Sequence, residues 1–245
     1  MFNPDLENTF VSFGPSHVYA VVVVFSIIAL LIVNQQRIRN SKYVDVLRYT
    51  LATLIILQEI SLNVYRAVIG EWSIATSLPL HLCGLGVLST AIILITKSEK
   101  LFQSVFFIML IGAVMALLTP AIDYNLGFPH YRYFQFFTSH GLIAINFTFI
   151  LFIFNYQKNI RYRHVLYNFV SLMVIAVVIL GIDLLVDGNY MYLMGKPGEG
   201  TALDIFGAWP WYILNIFLFG LPVFFHVFYL PFFIRDFRRK RRVLA

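Results

Sequence analysis

Seven long apolar stretches alternate with short polar connections along this chain, at roughly residues 15–36, 46–66, 78–95, 101–120, 135–154, 164–185 and 210–234. Each is about 18 to 25 residues long, enough for an α-helix to cross ~30 Å of hydrocarbon. The pattern predicts an all-α polytopic membrane protein: a seven-transmembrane-helix bundle forming a single integral membrane domain over residues 1–245.

The basic residues predict its orientation. On one side fall Arg37, Arg39, Lys42 and Arg48, then Lys97 and Lys100, then Lys158, Arg161 and Arg163, and finally Arg235, Arg238, Arg239, Lys240, Arg241 and Arg242. Only Arg66, Arg132 and Lys196 of the 18 basic residues fall on the other. The positive-inside rule then predicts the amino terminus outside and the carboxyl terminus inside.

A chain that is 60% apolar and 12% charged leaves no room for a soluble domain beside seven helices. The net charge of +6 does not imply nucleic acid, because six of the basic residues crowd the segment directly after the last stretch. That segment reads as a topological anchor touching anionic inner-leaflet lipid. The first stretch is long and follows Asp5 and Glu7 rather than a basic segment, so it reads as a retained anchor and not a cleaved signal. One cysteine, Cys83, excludes an internal disulfide, and no thiolate zinc spacing or phosphate loop occurs; neither cofactor nor metal is expected. Gly84 and Gly86 are expected to permit close helix approach.

With that orientation, polar residues gather toward the outer ends. Glu59, Asn63 and Arg66 share one face of the second stretch. His81 and Cys83 open the third, His140 lies at the start of the fifth, and Asp123, His130 and Arg132 precede it; Asp183 ends the sixth. The inner halves read as almost purely apolar. An ionisable side chain at mid-membrane costs on the order of 2.5 to 3.5 kcal/mol, so such residues face partners or a wet cavity. Their convergence predicts a site open to the outer leaflet. The connection from Val186 to Ala208 is long enough for a lid, and Trp209-Pro210-Trp211-Tyr212 reads as an interfacial belt and helix start.

Cys83 is the strong nucleophile at this depth, near the amino end of a helix that Pro79 is expected to open. His81, two residues away, points to another side, which leaves His140 as the best-placed base. A Cys/His pair suits acyl transfer through a thioester. Glu59, Asp123 or Asp183 would orient a histidine, and Arg132 or Arg66 would hold a lipid phosphate. Two other classes fit less closely. A seven-helix metal-dependent lipid hydrolase would draw on His17, His81, His130 and His140 with Asp123 or Asp183, although no histidine pair has helical spacing. A non-catalytic lipid or small-molecule transporter, or a receptor-like bundle, would use Glu59 and Asp183 to bind its ligand.

The strings Leu78-Pro79-Leu80-His81-Leu82-Cys83, Phe128-Pro129-His130-Tyr131-Arg132, Ser139-His140-Gly141-Leu142, Asn189-Tyr190-Met191-Tyr192 and Gly207-Ala208-Trp209-Pro210-Trp211-Tyr212 resemble the bacterial YwaF-like integral membrane proteins. Those in turn resemble the eukaryotic transmembrane protein 164 family. The resemblance implies that Cys83 and His140 match the catalytic cysteine and histidine of a phospholipid acyltransferase, with a membrane phospholipid or lysophospholipid as partner. It also implies a multi-pass protein of a bacterial plasma membrane.

Overall fold

The computed structural model describes residues 9–120, 126–198 and 202–244. These residues form helices and turns, with no β-strand among them. In chain order the α-helices are α1 (Pro15–Val33), α2 (Gln35–Arg39), α3 (Val44–Val68), α4 (Leu82–Thr96), α5 (Glu99–Leu118), α6 (Tyr131–Ile153), α7 (Tyr162–Val186), α8 (Trp211–Asn215) and α9 (Leu221–Leu244). A π-helical turn, Ile216–Gly220, joins α8 to α9. The helix therefore runs on into the basic tail, which the sequence reading had placed beyond its last span.

Six helical rods, α1, α3, α5, α6, α7 and Trp211–Arg239, are long and apolar enough to cross a membrane. The third apolar stretch departs from expectation. Its helix, α4, has only 15 residues and starts at Leu82, not at Leu78. At 1.5 Å per residue it spans about 22 Å, short of the ~30 Å hydrocarbon layer. Pro79 therefore does not open the helix; it ends an irregular segment that precedes it. Three contacts hold that segment. The Tyr190 hydroxyl accepts from the Leu78 amide at 2.9 Å and donates to the Ile74 carbonyl at 2.6 Å. Gly84 gives the Pro79 backbone room: a Cβ there would lie 2.7 Å from the Pro79 Cα and carbonyl carbon.

The bundle has two unlike ends. The basic end gathers the carboxyl ends of α4 and α6, and its arginines donate to carbonyls of those last turns and of the connection after α6, where positive charge is favoured. Arg48 donates to the Leu94 and Ile95 carbonyls at 2.6 and 3.1 Å and to Asp45 at 2.5 Å. Arg39 donates to the Phe152 carbonyl, and Arg235 to those of Gln157 and Ile160. Charges read in sequence only as topology signals thus also close helices.

Nor is this half purely apolar. Asn168 of α7 is fully buried and braces one turn of α5. Its Nδ2 donates to the Gln103 carbonyl at 2.7 Å, and its Oδ1 accepts from the Phe107 and Ile108 amides at 2.9 and 3.3 Å. Around it packs a cluster of Phe102, Phe106, Phe107, Phe147, Phe225 and Phe232, with ring centroids 4.8 to 6.4 Å apart.

Candidate functional site

The opposite end, the mouth, holds the start of α4. His81 is the N-cap residue, and its side chain does not cap the helix. The Cys83 and Gly84 amides lie within hydrogen-bonding reach of the Cys83 sulfur, and Glu59 and Arg132 lie within its electrostatic reach. Cys83 is nonetheless exposed. Cys83 thus combines accessible surface with charged neighbours from α3 and α6.

Helix register brings His140 to the same level. Gly86 of α4 packs on Ile143 of α6; a Cβ on Gly86 would lie 3.2 Å from the Ile143 Cδ1. At the basic end the Lys97 ammonium sits 5.7 Å from the Phe154 ring centroid. Gly86 and Lys97 are as far apart along α4 as Ile143 and Phe154 are along α6, so the two helices run parallel in step. One turn toward the mouth from the Gly86–Ile143 contact stand Cys83 and His140. On the other flank α3 runs antiparallel to α4, fixed by Arg48 on Leu94 and by the Lys97–Asp45 ion pair at 3.2 Å. Continuing that register brings Glu59 opposite Cys83.

The two histidines nearest Cys83 have opposite tautomers. His140 is buried, its ring 4.2 Å from that of Phe136, and its Nδ1 lies 2.8 Å from the Phe136 carbonyl. A carbonyl only accepts, so Nδ1 carries the proton and Nε2 keeps a free lone pair. His81 is reversed. Its Nδ1 accepts from the Met191 amide at 3.2 Å, so in the neutral ring Nε2 carries the proton and donates. Tyr190 and Tyr192 hold the His81 ring, with centroids 5.2 and 5.1 Å away.

Arg132 links the remaining groups. It lies within electrostatic reach of Cys83, His140 and Glu59 and donates to the Gln135 carboxamide oxygen. Gln135 Nε2 in turn donates to Gln58 Oε1 at 3.0 Å. This chain of amides joins α3 to α6 and fixes the guanidinium between them. Gln58 and Gln135 were not singled out as site residues from sequence; the signal available was two amides in the mouth-side halves of α3, which ends there, and α6, which begins there.

Other sequence candidates turn out to build the mouth. Arg66 donates to the Thr76 carbonyl at 3.1 Å, and the Asn63 side-chain oxygen accepts from Trp72 Nε1 at 3.0 Å, so this stripe ties down the irregular segment before α4. Asp183 is buried and accepts from the Tyr190 amide at 2.8 Å. It positions Tyr190, and through that ring His81. His130 caps α6 by accepting from the Arg132 amide at 3.1 Å. Asp123 lies outside the described residues.

His17 accepts from the Phe13 amide and donates to the Leu117 carbonyl, both at 2.8 Å, so neither ring nitrogen is left for a metal. Among the described residues no three His, Cys, Asp or Glu side chains are grouped to hold a metal ion.

Apolar rods, an irregular segment at the mouth and charges at the opposite end define a multi-pass helical membrane protein. Residues 12–228 match the TMEM164 family model, and the chain belongs to that family. No curated protein and no solved structure matches it.

Proposed function

We propose that this protein is a membrane-embedded lipid acyltransferase or transacylase, with Cys83 as acyl carrier and His140 as general base. What supports the reading is helix register: Cys83 and His140 each stand one turn toward the mouth from the Gly86–Ile143 contact, and the His140 bond to the Phe136 carbonyl leaves Nε2 unprotonated, beside the start of a helix of only 15 residues. With seven crossings and the amino terminus outside, α4 begins below the outer interface, at the depth of a phospholipid's ester groups. Irregular backbone at that depth is tolerated where it lines a cavity or is buried in protein.

The cycle balances within these residues. The Cys83 thiol passes its proton to His140 Nε2 while sulfur attacks an ester carbonyl of a phospholipid. The Cys83 and Gly84 amides, at the uncapped start of α4, receive the oxyanion. The intermediate collapses to a thioester, and the leaving lysophospholipid oxygen takes the proton from His140. A second lysophospholipid hydroxyl gives its proton to His140 and attacks the thioester; the C–S bond breaks, and the expelled Cys83 thiolate takes that proton back from His140. Arg132 holds the lipid phosphate.

The test is incubation of purified protein in nanodiscs with phospholipid carrying a radiolabelled acyl chain. Label should stay on wild-type protein through denaturation, leave with neutral hydroxylamine, and be absent from Cys83→Ala. Undiminished transfer by Cys83→Ala overturns the mechanism. Proteoliposome lipid flux that survives loss of both Cys83 and His140 would identify a transporter instead.

A further inference from the structure

A polar recess lies at the basic end, far from Cys83, and needs nothing from the acyl-transfer reading. It is a cavity of about 320 Å³ lined by Glu99, Lys100, Gln103, Asn159, Arg161 and Arg163. Every lining side chain is polar, and the cations outnumber the one carboxylate three to one. That carboxylate is held within the lining: Glu99 Oε1 accepts from Gln103 Nε2 at 2.9 Å and from Asn159 Nδ2 at 2.7 Å.

Among the described residues Lys100, Arg161 and Arg163 make no ion pair. Arg161 NH1 is spent on the Lys158 and Ile160 carbonyls at 2.6 and 3.0 Å, which fixes the guanidinium at the cavity wall and leaves the rest of its fork open. The Arg163 Nε faces His164 at 3.4 Å, leaving its two terminal nitrogens. The first turns of α5 and α7 both meet here, adding the positive ends of two helix dipoles.

We propose that this recess binds a phosphate monoester, delivered as the headgroup of an anionic phospholipid from the leaflet at the basic end. Two unpaired guanidiniums and an ammonium around one cavity match the charge and acceptor geometry of a phosphate dianion. The cavity is too polar for acyl chains, which would lie along the apolar flanks of α5 and α7. None of the tail arginines Arg238, Arg239 and Arg241 lines this cavity.

The full-length protein would be examined by native mass spectrometry from detergent, with phosphatidic acid, phosphatidylcholine or inorganic phosphate added. Phosphatidic acid should be retained over phosphatidylcholine, and Lys100→Gln with Arg163→Gln should weaken retention by about fivefold for each cation removed. That double variant keeps the carbonyl bonds of Arg161, and an unchanged melting temperature would show it folded. Neutralising Arg238, Arg239 and Arg241 should leave retention within twofold. Competition by millimolar inorganic phosphate alone would make free phosphate the ligand and overturn the lipid assignment. Equal loss in the tail variant, or no loss in the double variant, overturns the site.

Discussion

The mouth and the basic half are built from the same kinds of residue and treat them oppositely. At the basic half, polar side chains close the structure: Asn168 braces a turn of α5, and Arg48 takes carbonyls at the end of α4. At the mouth, polar side chains are held by one atom and left open at another. His140 is tied through Nδ1 with Nε2 to spare, and Cys83 is exposed at an uncapped helix start. Buried polar groups normally have their hydrogen bonds met. On the proposed reading, the anchored groups that keep an atom available around Cys83 serve the chemistry, while side chains such as Asn168 and Arg48, whose bonds are spent on backbone, serve stability.

Substitution should separate the two. His140→Ala is expected to lower acyl transfer by about 10² to 10⁴, the usual contribution of a positioned base, with the melting temperature unmoved. Turnover and melting measured on one preparation check this. A large stability loss would mean that His140 belongs to the closing class.

Gly84→Ala comes next and tests placement without removing any reacting group, since the Gly84 amide is kept. The added methyl would meet Pro79 backbone at 2.7 Å, so the irregular segment must shift away from the start of α4. A misplacement of ~1 Å costs on the order of 10²-fold in rate, and transfer is expected to fall by about that much. Gly86→Ala instead presses a flexible Ile143 side chain and is expected to be milder.

Asn168→Leu should do the reverse. Removing the amide strips partners from the Gln103 carbonyl and from the Phe107 and Ile108 amides. A loss of about 1 to 3 kcal/mol in stability is expected, with the transfer rate per folded molecule unchanged.

How much of this was legible beforehand follows the same division. Hydropathy located the six helices long enough to cross a membrane and the shorter α4, because apolar length is a property of the stretch itself. It misplaced the start of α4, because Leu78 to Cys83 is as apolar as a helix and what stops the helix is Tyr190, distant in sequence. Cys83 and His140 were readable as candidates since few side chains carry such chemistry, and Arg132 since a lone cation among apolar helices stands out. The closing role of Asn168 was invisible: its partners are backbone atoms, which sequence does not distinguish. The same blindness made Asp183 look like a catalytic helper, when its bond is to the Tyr190 amide. The His81 tautomer likewise depends on one amide, that of Met191.

Asn146 sharpens the comparison with the smallest expected effect. It is fully buried in α6, on the far side of His140 from the mouth, and among the described residues neither its side-chain oxygen nor its nitrogen has a hydrogen-bond partner. It thus sits in the closed part of the molecule with the open character of the mouth. If it belongs with the closing residues, the unsatisfied amide is a plain cost, and Asn146→Leu, close in shape, should raise stability by about 1 kcal/mol with acyl transfer unchanged. If it belongs to the mouth, where anchored polar groups serve the chemistry, stability will rise just as much but transfer will fall. Melting and turnover of this one variant therefore place the boundary between the two regions along α6, on the near or the far side of Asn146.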